Sequence, residues 1–443
     1  MKNLSNQKGA ISMMALICVL LVVVVLVVLG VCAYIKNGTI DPEKTTVIEG
    51  GDAVEPDGEE VEPEDGEKTE FTYSFLNLEN QSAVGKNVIY SPLSIKYLLN
   101  LLSDGANGNT KKEINRLIKN ESLTKYKNID KVLSLANAVY IKDEYKGRVL
   151  KSYINNVKNN YDAEIKYDSF KSANNINDWV SKNTHNTINN FLSDQQVQAP
   201  NLSMILVNAL SVDMKWKKEF NEDNTLQGQF NNIDGNSIET AYMHKWRIET
   251  DDIAYKKDDD VTVLAMDLEK NGGVTLEFDA IMPNEMELSE FLNEIDTKRV
   301  EGYLSNLTNA SRTKAGVNII IPRFDFNYSI SFVEELKAMG IHDAFDRNAD
   351  FSNITGDESL YVGDAIHKAN IEFSEKGVKA AAASAATMIN KAAEFDEDLP
   401  VDVVIDKPFM FVIRDKDTGE VWFTGAVYEP VLWSNVEAEY DRH

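Results

Sequence analysis

The chain has 443 residues, 43% hydrophobic and 26% charged, with 71 Asp and Glu against 45 Lys and Arg and a formal net charge of −26. The apolar share is enough for an ordinary folded core. The acidic balance argues against nucleic acid or an anionic membrane surface as ligand, since both repel negative charge. The only cysteines, Cys18 and Cys32, sit in one apolar stretch, so the rest of the chain has neither a disulfide framework nor a Cys-based metal site.

Residues 10–36 read as a transmembrane anchor. No charge interrupts Ala10 to Ile35, and at about 1.5 Å per helical residue that run crosses a bilayer core. The competing reading is a cleaved signal peptide, whose apolar region is shorter, about 7 to 15 residues. A lipoprotein box at Leu29 to Cys32 is a further alternative, with Val31 bulkier than that processing usually accepts. Lys2 and Lys8 precede the run and acidic residues follow it, so charge bias leaves residues 1–9 in the cytoplasm and the bulk of the chain outside.

Residues 37–70 carry thirteen acidic residues against Lys44 and Lys68, with Pro42, Pro56 and Pro63 and almost no aliphatic pattern. That composition predicts a disordered, self-repelling linker. A flexible coil of this length spans about 30 to 35 Å, and charge repulsion lengthens it.

From Phe71 to about Leu192 the apolar spacing is mainly helical: in IKYLLNLLSD, around Ile114 to Ile118, and from Ile176 to Phe191, with short strands such as ANAVYI between. From Met204 the texture changes to runs rich in β-branched and aromatic residues, among them MILVNALSV, VTVLAMDL, VNIIIPRFDF, FMFVIRD and VWFTGAVY. Helices return at Leu288 to Ile295 and Ser331 to Met339. Helices first and strands later, without βαβ alternation, predict an α+β fold with large antiparallel or mixed sheets. With no repeat or composition break after Glu70, one domain over residues 71–430 and a tail over 431–443 is the simplest division.

The phosphate-loop, zinc-protease, nucleophile-elbow and dinucleotide motifs are missing. His185, His244, His342, His367 and His443 have no ligand spacing and read as structural hydrogen-bonders. No cofactor or metal is expected, and an enzyme has no motif behind it.

The most unusual segment is GVKAAAASAATMINKAAEFDEDLP, Gly377 to Pro400. From Ala380 to Ala386 every residue is alanine except Ser384, a helical composition by propensity. Yet it lies between HKANIEFSEK, which alternates like a strand, and VDVVI, which leads to a hairpin turning at Lys416 to Gly419. A connection this long between strands is uncommon unless functional or disordered. Small side chains at each position let either face slide between existing strands, so this connection could become a strand.

Four stretches in order carry a resemblance to the serpin family over nearly all of Phe71 to Pro430: NVIYSPLSIKYLLNLLSDGANGNTKKEI, MILVNALSVDMKWKKEF, IIIPRFDF with MGIHDAFDRNADFSNIT, and AIHKANIEFSEKGVKAAAASAA with DKPFMFVIRDKDTGEVWFTGAVYEP. The resemblance implies three β-sheets, about nine helices and an exposed reactive loop in a metastable state. It implies a monomer acting as an irreversible inhibitor of an extracellular serine protease. Cleavage of the loop forms an acyl-enzyme, the loop inserts into the main sheet, and the trapped protease is distorted.

By the same resemblance Glu375 and Gly377 match the hinge, with Val378 after them, and Ala380, Ala381, Ala382 and Ala383 match its small-residue stretch. Family spacing places the reactive bond at Lys391–Ala392. Lys391 is also the only Lys or Arg between Lys379 and Lys407, a single bait for a trypsin-like pocket. Val378 and Lys379 depart from the usual threonine and glutamate, and the stretch after Ala392 is long, so Met388, Asn390 and Phe395 are alternative cut sites. Ser91, Ser94, Asn208 and His367 match the polar cluster where the main sheet parts, and Trp216 the point where the loop enters. The alternatives are a non-inhibitory surface-binding relative and an inhibitor of a cysteine protease.

Overall fold

The computed structural model describes residues 71–118, 123–130, 132–199, 202–232, 235–357, 360–378 and 399–440. The expected cytoplasmic residues 1–9, anchor 10–36 and linker 37–70, and most of the alanine-rich segment, residues 379–398, lie outside them. Among the described residues no helix is long and apolar enough to cross a membrane.

The elements of the first half are α1 (Phe71–Ser82), β1 (Val88–Tyr90), α2 (Pro92–Gly105), α3 (Gly108–Ile118), β2 (Leu133–Lys142), α4 (Lys151–Tyr161), β3 (Ala163–Asp168), α5 (Asn174–Asn183) and α6 (Asp194–Val197). Next come β4 (Met204–Val212), β5 (Met214–Lys215), β6 (Thr225–Asn231), β7 (Ser237–Ile248), β8 (Ile253–Lys257), β9 (Val261–Asp267), β10 (Leu276–Pro283), α7 (Leu288–Asn293), α8 (Thr297–Leu304) and β11 (Thr308–Asn309). The last third holds β12 (Val317–Pro322), β13 (Phe324–Ser331), α9 (Val333–Ala338), α10 (Ser352–Thr355), β14 (Val362–Asp364), β15 (Ile366–Ser374), β16 (Gly377–Val378), β17 (Val401–Val404), β18 (Phe409–Asp415), β19 (Val421–Val427) and α11 (Trp433–Tyr440).

Local sequence explains several boundaries. Ser91 caps α2 by accepting the Ser94 N–H, and Pro92 fills the first helical position, where a missing N–H costs nothing. The helix expected from Ile176 to Phe191 stops at Asn183, because His185 and Asn186 take left-handed backbone (φ +50° and +65°) that ends a helix. The first half is also less helical than its spacing suggests. β2 runs ten residues and nine of them are buried, so a strand covered on both faces shows no alternation.

The strands form a seven-stranded sheet, β1-β19-β18-β10-β9-β8-β11, a four-stranded sheet, β17-β12-β7-β6, and two more four-stranded sheets, β13-β15-β16-β5 and β14-β4-β2-β3. Four sheets and eleven α-helices thus stand among the described residues, where three and about nine were expected. The extra helices include short ones such as α6 and α10 and the C-terminal α11. The extra sheet has a topological cause: β5 continues β4 past Asp213, and β14 runs into β15 past Ala365, so the last two sheets are halves of one, divided along a seam between β4 and β15.

Residues 431–436 are part of the folded body rather than a tail. The Val431 carbonyl accepts the Ala241 N–H at 3.2 Å, its own N–H donates to Arg323 at 2.9 Å, and Val436 is buried. Beneath the upper seam lies an aromatic core, in which Phe373 stacks on Phe324 with centroids 4.5 Å apart and packs on Phe278 at 4.5 Å. The opposite face of β2 and β4 is covered by α5 and the chain after it, through Trp179, Val180 and Ile188.

Candidate functional site

The chain leaves β15 at Ser374, turns through Glu375 and Lys376, and returns as β16. β16 pairs antiparallel with both neighbours: Val378 opposite Phe373 and Met214, Gly377 opposite Ser374 and Lys215. A Cβ on Gly377 would lie 2.2 Å from the Met214 carbonyl oxygen, a contact backbone cannot relieve, so this position takes glycine. The turn is held from several sides. Trp216 donates its backbone N–H to Lys376 at 2.9 Å and its indole N–H to Ser374 at 2.8 Å, while the Phe220 N–H reaches the Glu375 carbonyl at 2.8 Å.

The side chains of the turn are paired too. The buried Glu375 carboxylate accepts the Thr225 hydroxyl and sits 3.8 Å from the Arg323 guanidinium. Lys376 pairs with Glu222 at 3.1 Å. Val378 is buried, which at roughly 1.5 to 3 kcal/mol for a fully buried aliphatic side chain favours keeping β16 in place.

Below Val378 no strand among the described residues pairs across the seam. No ladder joins β4 to β15 among the described residues, and a cleft partly open to solvent is lined by Leu210 and Val212 of β4, Asn370 and Glu372 of β15, Val378 and Thr187. At the foot the halves rejoin, where β14 pairs parallel with β4, Val362 opposite Met204. From β15, Lys368 Nζ donates to the carbonyls of Asn189 and Asn190 in the chain after α5, at 3.2 and 3.0 Å. β16 thus stands at the top of the seam, between β4 and β15, which run parallel to each other.

The polar cluster assembles in part. His367 Nε2 accepts the Ser91 N–H at 3.2 Å, and Ser94 donates its N–H to the Ser91 hydroxyl at 3.1 Å, which brings Ser91, Ser94 and His367 together. Burial pushes the His367 pKa down to about 3, so the ring is neutral, as an acceptor Nε2 requires. Asn208 instead donates to Asn137 Oδ1 across the β2–β4 ladder at 2.7 Å, and its own Oδ1, like Ser94 Oγ, is buried with no partner. Trp216 packs edge-on against Phe373 and Phe278, at 5.1 and 5.9 Å.

Ala380, Ala381, Ala382, Ala383, Lys391 and Ala392 lie outside the described residues. Sequence reading missed Asn137, Thr225, Arg323, Glu222 and Phe332, which stacks on His367 with centroids 5.3 Å apart. Each is joined to the site only by long-range contact, and no local motif marks it.

This geometry agrees with the comparisons. The serpin (serine protease inhibitor) family model matches residues 67–430. Neuroserpin of Gallus gallus is 27% identical over 394 residues, covering 80% of this chain and 90% of the relative. Human glia-derived nexin is 29% identical over 365 residues, covering 78% of this chain and 88% of the relative. An uncharacterized serpin-like protein of Methanosarcina acetivorans is 28% identical over 416 residues, 89% of this chain and 93% of the relative. Among solved structures, thyroxine-binding globulin complexed with thyroxine superposes with a TM-score of 0.67 at 25% identity, covering 82% of this chain and 98% of that one. Native tengpin, a thermophilic serpin, gives a TM-score of 0.68 at 24% identity, covering 81% and 92%. With the family model spanning most of its length and the hinge standing at the head of the seam, the chain belongs to the serpin family.

Proposed function

We propose that this chain is an irreversible inhibitor of a trypsin-like serine protease, cleaved at Lys391–Ala392 and acting by insertion of residues 379–391 into the seam between β4 and β15. The observation that carries this reading is the position of β16: Gly377 and Val378 are already paired with β15 and β5, in line with a cleft lined by residues of β4 and β15. Continued insertion extends ladders that exist, and six of the next eight residues, Lys379 to Ala386, are alanine, small enough to enter a packed seam. The hydrogen bonds and apolar burial gained on insertion supply the work of distorting an attached protease.

Lys391 as the bait rests on its being the only basic residue between Lys379 and Lys407 and on its spacing from Gly377. The uncharged run at Ala10 to Ile35 and the acidic stretch after it support a tether that displays the inhibitor outside the cell membrane, with an uncleaved single-pass anchor.

The test is incubation of the full chain with trypsin, subtilisin and papain. The expected result is an adduct with trypsin that survives boiling in detergent, with a new N-terminus at Ala392. Clean cleavage without adduct by any of them overturns inhibition and favours a binding role. An adduct with papain alone, cut after a hydrophobic residue such as Met388, overturns the serine-protease assignment.

A further inference from the structure

Beside the polar cluster, at the outer edge of the β13–β15 half, two carboxylates and a tyrosine hydroxyl meet. Glu79 of α1 is 2% exposed, and the Tyr328 hydroxyl of β13 donates to its Oε2. Glu335 of α9 stands within hydrogen-bonding reach of Glu79. Glu79 Oε1 and Glu335 Oε2 are both buried and receive no donor from any other group. Two carboxylates in that arrangement repel each other and leave orphaned acceptors, whereas one shared proton removes the repulsion and satisfies both oxygens.

The pair connects physically to the polar cluster. Glu79 lies one helical turn after Phe75, and Glu335 lies three residues after Phe332. Phe75 meets Phe332 edge-on at 4.5 Å, Phe332 stacks on His367 at 5.3 Å, and His367 accepts the Ser91 N–H. We propose that Glu79 and Glu335 form a proton-locked clamp on the main sheet: with the shared proton, α1 and α9 are held to edge strand β13, and without it that half loosens and the seam parts more readily. This regulation rests on the reading of the seam as the insertion site.

Burial, and then Glu335, push the Glu79 pKa up from 4.5 to about 7, against the lowering effect of the Tyr328 hydrogen bond. The folded chain therefore holds a proton that the unfolded or opened chain releases between about pH 4.5 and 7. Stability from the clamp is full below that window, falls as pH rises through it, and levels above about 7. The other groups facing the site from packed elements are Tyr90 and Tyr73, and Asn80, which bonds Tyr428 and the Ser289 carbonyl of α7. Glu334 and Lys337 of α9 pair with each other at the surface. His367 titrates in the opposite sense, and a ratio of wild type to variant cancels it.

The experiment is hydrogen exchange of the β13 and β15 amides in the full chain at pH 5.5 and 8.0, corrected for the intrinsic pH dependence of exchange, in wild type and Glu79→Gln. The expected result is that the opening of wild type relative to the variant rises on the order of tenfold between the two pH values. An unchanged ratio overturns the clamp. Glu335→Gln removes the second charge but leaves Glu79 buried, so the ratio should rise with the same sign and a smaller size, and a flat ratio there also overturns the clamp if Glu79→Gln folds poorly. No protease enters this readout, so its failure is distinct from the absence of a covalent complex.

Discussion

The indole nitrogen of Trp216 donates to the Ser374 carbonyl at 2.8 Å, joining the residue after β5 to the last residue of β15 at the head of the seam. Trp216→Phe keeps an aromatic ring against Phe373 and Phe278 but removes this donor. The expected cost is about 1 kcal/mol, seen as a lower midpoint in the first unfolding transition and faster spontaneous loss of inhibition. An unchanged midpoint and inhibitory half-life would show that the bond does not tie the halves together.

Gly377→Val places a side chain where the Met214 carbonyl already stands. Overpacking of this kind costs about 1 to 3 kcal/mol, comparable to what burial of Val378 returns, so β16 should leave its slot. Hydrogen exchange at the Val378 amide should then speed up about tenfold or more. A protected amide in the variant would mean the hinge tolerates the side chain.

Asn208→Ala strips the buried Asn137 Oδ1 of its donor at the seam-side strand β4, at a cost of about 1 to 3 kcal/mol. Ser91→Phe removes the cap of α2 and crowds a fully buried position beside His367. Both should favour premature insertion or polymers on mild heating, with inhibition lost, as followed on native gels. Full inhibition and no polymers in both variants would remove these residues from control of the sheet.

Acid should loosen the same cluster. Burial depresses the His367 pKa from 6.5 to about 3, so its contribution is fully present above about 6.5 and is lost as pH falls from there toward 3, where the opened chain takes a proton that the folded one excludes. The Ser91 amide exchange rate of wild type relative to His367→Asn should rise as pH falls from 7 to 5, the contribution of Glu79 being common to both and cancelling in that ratio.

Much of this was readable in the sequence because the signals are local. MILVNALSV is β4 to the residue, FMFVIRD is β18, and the Ser91–Pro92 pair announces the start of α2. Glu375 and Gly377 were singled out by their match to the family pattern, and in the structure Glu375 contacts Thr225 and Arg323 while Gly377 lies against the Met214 carbonyl. The split of the main sheet was not readable, because it depends on an absent ladder between β4 and β15, and missing pairing leaves no periodicity. Nor was the meeting of Glu79 with Tyr328, 249 positions apart, or of Phe332 with His367. Such contacts are set by tertiary packing, which propensity and pattern do not encode.

The seam behaves mechanically like a notch cut into a plate and pinned at both ends. β14 fastens its foot, β16 and Trp216 fasten its head, and between them Lys368 ties β15 to the chain after α5. Prying such a notch open does not require tearing a row of backbone bonds in series. The resistance is concentrated in a few contacts at the tip, so its speed of opening is set by a handful of side chains rather than by the area of the sheet.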